Sequence, residues 1–198
     1  MAQLWRFPDG GSGSMGATRA TRTQMLAGSA VLVVLGTALA GCGKSSVTGV
    51  DPPALYINEI MAQNDSTIAD TDGNGGYADW IEIYNAGESS VDLGGMYLTD
   101  NLKQPTKWRI PDGVAIDTGR YLLFWADDDV QQGNTHTNFK LDTAGEDVGL
   151  FDTAKNGNAA IDAVTFGQQV ADVSYGRSPD GSDNGQTLSV PTPGDPNR

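Results

Sequence analysis

Among 198 residues there is one histidine, His136, and one cysteine, Cys42. Nucleophilic catalysis of the serine or cysteine type needs a base beside the nucleophile, so a single imidazole leaves it almost no room. A zinc site of the usual histidine and cysteine kind cannot be assembled from one of each. Carboxylates, by contrast, are abundant: 25 Asp and Glu against 12 Lys and Arg. A carboxylate-only hydrolase would draw on Glu59, Glu82 and the run Asp127-Asp128-Asp129, although in so acidic a chain acids fall beside one another by chance. The most ordered set of oxygens is the glycine-rich stretch 70–82, DTDGNGGYADWIE. Asp70, Asp72, Asn74, Asp79 and Glu82 place hard oxygen ligands on a backbone able to wrap around an ion, which is what calcium requires. The competing reading is a solvated acidic hairpin loop whose Asp and Gly residues simply make turns.

The opening of that stretch resembles an EF-hand loop, but Ile81 stands where the bidentate glutamate belongs and Glu82 comes one residue later. No flanking helices are evident, so a calcium ion here would use another geometry and serve structure. His136, in Asn134-Thr135-His136-Thr137-Asn138, reads as a structural or edge residue. Asp127-Asp128-Asp129 follows an apolar run, where adjacent charges stay exposed and loose and discourage edge pairing. Phosphate-binding glycine loops and basic aromatic patches are missing, and with a net charge of −13 the chain repels nucleic acid and anionic headgroups.

The first quarter of the chain is a different kind of sequence. Arg19 and Arg22 precede an apolar stretch that ends in small residues, the three-part form of a secretory signal. Gly28, Ser29, Gly36 and Thr37 interrupt it, and it is short of the roughly 20 residues a spanning helix needs, which favours cleavage. Leu39-Ala40-Gly41-Cys42 resembles the lipobox of bacterial lipoprotein signal peptides. That resemblance implies diacylation of the Cys42 thiol, cleavage just before it, and stable attachment through more than one fatty chain. Gly43 after the cysteine is compatible with transfer to an outer membrane or cell surface in a Gram-negative envelope. Residues 1–41 are thus expected to form the signal region, with Met15 an alternative start, and residues 42–54 the lipidated cysteine and a polar, disordered tether ending in Pro52-Pro53.

These residues must be positioned by short elements. From Leu55 onward apolar clusters recur between turn residues, with no sustained helical periodicity, as in a sandwich or barrel. Strands are expected at 55–63, 80–85, 91–99, 107–110, 120–126, 136–141, 147–152, 159–167 and 172–176. In the second, Ile81 and Ile83 point to one face and Trp80, Glu82 and Tyr84 to the other. The run 120–126, RYLLFWA, is apolar on both faces and suits a central strand. Turns are expected at Asn85-Ala86-Gly87, Gly94-Gly95, Pro111-Asp112-Gly113 and Pro179-Asp180-Gly181.

Three segments in order, INEIMA at 57–62, DWIEIYN at 79–85 and VDLGGMYLTD at 91–100, resemble successive motifs of the lamin-tail domain. KWRIP at 107–111, GRYLL at 119–123, FKL at 139–141 and VSYGRSPDG at 173–181 are similar to its bacterial branch. The resemblance covers 55–181, implies an all-β, immunoglobulin-like β-sandwich, and leaves 182–198 as a C-terminal tail. It implies an accessory or interaction module rather than an enzyme. The expectation is a noncatalytic, lipid-anchored envelope module with a protein or glycan partner. The alternatives are a calcium-dependent carbohydrate or matrix binder and, least favoured, the carboxylate hydrolase.

Overall fold

The computed structural model describes residues 52–71 and 75–198. Cys42, the lipobox residues Leu39, Ala40 and Gly41, the signal region and the tether as far as Asp51 lie outside the described residues, as do Asp72 and Asn74.

Eleven strands are described, joined by turns and one 3₁₀ turn at Ala154–Asn156: β1 Leu55–Met61, β2 Trp80–Asn85, β3 Val91–Asp92, β4 Tyr97–Thr99, β5 Trp108–Arg109, β6 Ala115–Ile116, β7 Tyr121–Trp125, β8 Asp147–Phe151, β9 Ala160–Thr165, β10 Ser174–Arg177 and β11 Gly185–Leu188. They form a five-stranded sheet in the order β11-β10-β1-β2-β7, a four-stranded sheet β5-β4-β8-β9 and a two-stranded ribbon β3-β6. All the ladders in these sheets are antiparallel.

One apolar core lies between the two large sheets. Ile57, Ile60, Ile81, Ile83 and Phe124 of the five-stranded sheet meet Leu98, Trp108, Val148 and Leu150 of the four-stranded one. The Trp108 ring packs edge-on against Phe124 with centroids 5.8 Å apart, in the T-shaped geometry that ring quadrupoles favour. A charged clasp joins the sheets as well. Arg177 Nη2 donates to both Asp162 oxygens at 2.9 and 3.0 Å, and Asp162 Oδ2 accepts the Ile57 N–H at 2.7 Å.

Three elements depart from the expected pattern for identifiable reasons. β1 contains a bulge: Ile57 pairs with Ile83 but Glu59 with Glu82, leaving Asn58 as the extra residue. The bulge shifts the strand's phase, so Ile57 and Ile60, three residues apart, both enter the core. The segment 91–99 splits, because Gly95 at φ +86° turns the chain from β3, paired with β6, into β4, paired with β5 and β8. The run 120–126 is an edge strand, not a central one: β7 has β2 on one side, and on the other only the bridge from Trp125 to His136.

The apolar outer residues of β7 and β2 have a different destination. Trp80, Trp125 and Met61 form a second cluster on the far face of the five-stranded sheet, covered by Ile68 and Ala78 of the loop between β1 and β2. Both faces of β2 are therefore buried. The expected strand 136–141 contributes only isolated bridges at His136 and Lys140.

Candidate functional site

Two polar clusters bear on function, and they differ in access. The first centres on Glu59 and Glu82, which face one another across the β1–β2 ladder with no exposed surface. Glu82 Oε1 accepts from Asn58 Nδ2 at 3.1 Å and Oε2 from the Gly194 N–H at 2.6 Å. Glu59 accepts from the Ser174 hydroxyl and from the Thr192 N–H at 3.1 Å. Asp180 completes the network, accepting from Asn58 Nδ2 at 3.0 Å, the Asn197 N–H at 2.9 Å and the Tyr121 hydroxyl at 2.6 Å. Segment 182–198 thus supplies β11 and then folds back so that Thr192, Gly194 and Asn197 close over the acids. Burial raises the carboxyl of Glu82 to about 8 against the hydrogen bonds from Gly194 and Asn58, and raises Glu59 in the same direction.

A pair of carboxyls with a raised pKa resembles acid–base machinery, but these two have no exposed surface. Their hydrogen bonds are spent on closing the fold. Asp127, Asp128 and Asp129 are not among their partners, so the expected hydrolase residues fall into two separate groups.

The second cluster lies where the β1–β2 loop meets the segment after β7, beside a cleft of about 370 Å³. Asp70, Asp79, Asp127, Asp129, Gln132 and Lys140 line that cleft. The first loop is held at its base by Asn64, whose Nδ2 donates to the Ile68 and Ala78 carbonyls at 2.7 and 2.8 Å while its Oδ1 accepts from the Thr67 and Ile68 N–H groups at 3.1 and 3.3 Å. Asp172, at φ +58°, accepts from the Asp65, Ser66 and Thr67 N–H groups and clamps the same loop from outside. Asp70 is then fixed by a backbone pair, its N–H donating to the Gly76 carbonyl at 2.8 Å and its carbonyl accepting from Gly75 at 3.0 Å.

On the other side, the Trp125 N–H donates to the Thr135 carbonyl at 2.8 Å and the Thr137 N–H to the Trp125 carbonyl at 2.9 Å, which sets His136 against the end of β7. Asp127 makes its own turn, with Oδ1 accepting the Asp129 N–H at 3.1 Å. Its Oδ2 lies 2.9 Å from His136 Nδ1. Asp127 is accordingly half-buried and held, whereas Asp128 and Asp129 are exposed as expected.

Of the residues expected to hold calcium, Asp70 and Asp79 line the cleft together. Burial raises the Asp79 carboxyl, against the Asn64 N–H and the charge of Lys140, which pull it down. Glu82 belongs to the sealed network. His136, read from sequence as structural, is fully buried against the acids, and no spacing rule joins it to Asp70 sixty-six positions upstream.

Two antiparallel sheets packed over a common core, with turns and loops at the ends, define an immunoglobulin-like β-sandwich module. Residues 50–168 match the Lamin Tail Domain family, and the chain belongs to it. No curated protein and no solved structure matches the chain.

Proposed function

We propose that the chain is an exported, lipid-anchored and noncatalytic module that holds a lamin-tail sandwich at a membrane surface for contact with another envelope or extracellular component, protein or glycan. The observation that carries the noncatalytic part is the closure of Thr192, Gly194 and Asn197 over Glu59, Glu82 and Asp180. Glu82 and Glu59, whose carboxyls burial raises, are thereby committed to the fold rather than to a substrate. Attachment rests on Leu39-Ala40-Gly41-Cys42. Among the described residues no helix is long and apolar enough to cross a membrane. The acidic surface disfavours nucleic acid as the partner.

The test is labelling with radioactive palmitate in a bacterial host, followed by fractionation. Label should enter the native chain and be lost in Cys42→Ala, with release of the protein from membranes. Equal labelling of the two would refute the anchor. Proximity labelling from the domain should then recover envelope or extracellular components.

A second reading, a cation-dependent carbohydrate or matrix binder, is favoured by Tyr77, half-exposed at 51% and lining the acidic cleft. Trp80, Trp108 and Trp125 are buried and offer no platform for a sugar. A glycan array run with and without chelator separates this reading from the plain adaptor.

A further inference from the structure

We infer that Asp70, Asp127 and His136 form a binding site for a divalent transition-metal ion of the zinc class, one that ties the β1–β2 loop to the segment after β7. Unlike the calcium set expected from the 70–82 stretch, this one draws its ligands from two loops and includes a nitrogen.

The geometry carries the inference. One ligand atom from each residue can be chosen so that all three lie within 4.8 Å of one another. His136 Nδ1 is 2.9 Å from Asp127 Oδ2 and 3.8 Å from Asp70 Oδ2. A tetrahedral ion with bonds near 2.0 Å has ligand–ligand edges of about 3.3 Å, so these two edges bracket the required value. The side chains are almost enclosed, with exposures of 0% for His136, 3% for Asp70 and 11% for Asp127. Two carboxylates converging on one imidazole nitrogen concentrate negative charge in a poorly hydrated place, where a divalent cation is favoured.

A second observation comes from the far side of the ring. Among the described residues His136 Nε2 is buried with no hydrogen-bond partner, and the ring is held by its hydrogen bond at Nδ1 to Asp127. Metal at Nδ1 places the ring proton on Nε2, and that N–H then takes a water as its acceptor, as metal-ligating imidazoles take one on their far side. Gly133 makes room for the ring in this position: a Cβ there would stand 3.3 Å from His136 Cδ2.

One imidazole nitrogen and two carboxylate oxygens form the mixed set that suits zinc and its neighbours, whereas calcium prefers six to eight oxygens. Three protein ligands leave a coordination position for water. Hydrogen bonds support the frame on both sides: Asn64 and Asp172 brace one loop and the Trp125 backbone braces the other.

The test uses the purified, tag-free full chain, stripped with chelator and titrated with Co2+ as a spectroscopic stand-in for zinc. One equivalent should produce a hyperfine-shifted imidazole resonance in the proton NMR spectrum. In a chain with one histidine that signal reports His136 alone. One equivalent of Zn2+ should displace it, and a large excess of Ca2+ should not. Asp70→Asn preserves side-chain shape and the contact between His136 and Asp127, and should weaken Co2+ binding on the order of tenfold or more. His136→Gln should abolish the shifted signal, with circular dichroism reporting whether the variant is folded. Absence of a shifted resonance in the native chain, undiminished affinity in Asp70→Asn, or displacement by Ca2+ in preference to Zn2+ would each overturn the inference.

Discussion

Glu59 and Glu82 stand directly opposite each other across two neighbouring strands, both fully buried and both capped by backbone N–H groups of the last ten residues. Because burial raises the Glu82 carboxyl from 4.5 to about 8, the folded chain binds a proton there that the unfolded chain releases at much lower pH. The stability this proton confers is complete below the unfolded value and is lost as pH rises from about 4.5 to about 8. Glu82→Gln mimics the protonated acid, so it should flatten the decline in melting temperature over that window and make the variant the more stable form at pH 8. Melts of the two proteins from pH 5 to 8.5 check this.

Truncation after Leu188 removes Thr192, Gly194 and Asn197 and opens the acids to water. The truncated chain should be less stable, because the donors and the cover are lost together. The Glu82 carboxyl should return toward its ordinary range, since burial is the largest cause of its shift. Carboxyl carbon NMR titration reads the second effect independently of the first.

The clasp between Arg177 and Asp162 is enclosed enough to matter, with side-chain exposures of 9% and 14%. Asp162→Ala should cost about 3–5 kcal/mol in denaturant unfolding, because it strands a buried guanidinium and removes the acceptor of the Ile57 N–H. Pairing it with Arg177→Met should recover part of the loss.

Asp172 is only half-buried, yet its carboxyl is lowered to about 2, chiefly by the Ser66 hydroxyl and N–H. Its contribution is present above the unfolded value of 3.8 and is lost as pH falls through about 2. Asp172→Asn should raise amide hydrogen exchange at Asp65, Ser66 and Thr67 near neutral pH and leave exchange in β2 and β10 unchanged.

Much of the sandwich could be read from residue alternation. Ile81 and Ile83 did face the core with Trp80, Glu82 and Tyr84 opposite, and β1, β2 and β8 begin where the apolar clusters begin. The bulge at Asn58 could not be read, because in INEIM the spacing of Ile57 and Ile60 fits neither regular phase of a strand until Glu59 is seen to pair with Glu82. The apolar run of β7 marked burial on both faces but not position in the sheet. A strand at the edge, covered by the bridge at His136 and by a cluster under the β1–β2 loop, has the same hydrophobic pattern as a central one. β11 was invisible in GQTL, which carries one apolar residue and is held by pairing with β10.

By itself the sequence determined the all-β class, the turn positions, the membership suggested by ordered motifs and the oxygen-rich character of the 70–82 stretch. These are local properties, set by side-chain type and by spacings of a few residues. Only the tertiary structure decided which acids are sealed and which line a cleft, and that Asp70, Asp127 and His136 share one place. The physical reason is that Asp70 is separated from Asp127 and His136 by more than fifty positions of chain. Their meeting is fixed by sheet order, by a bulge that sets strand phase, and by the hydrogen bonds of Asn64 and Asp172 that hold the loop in place.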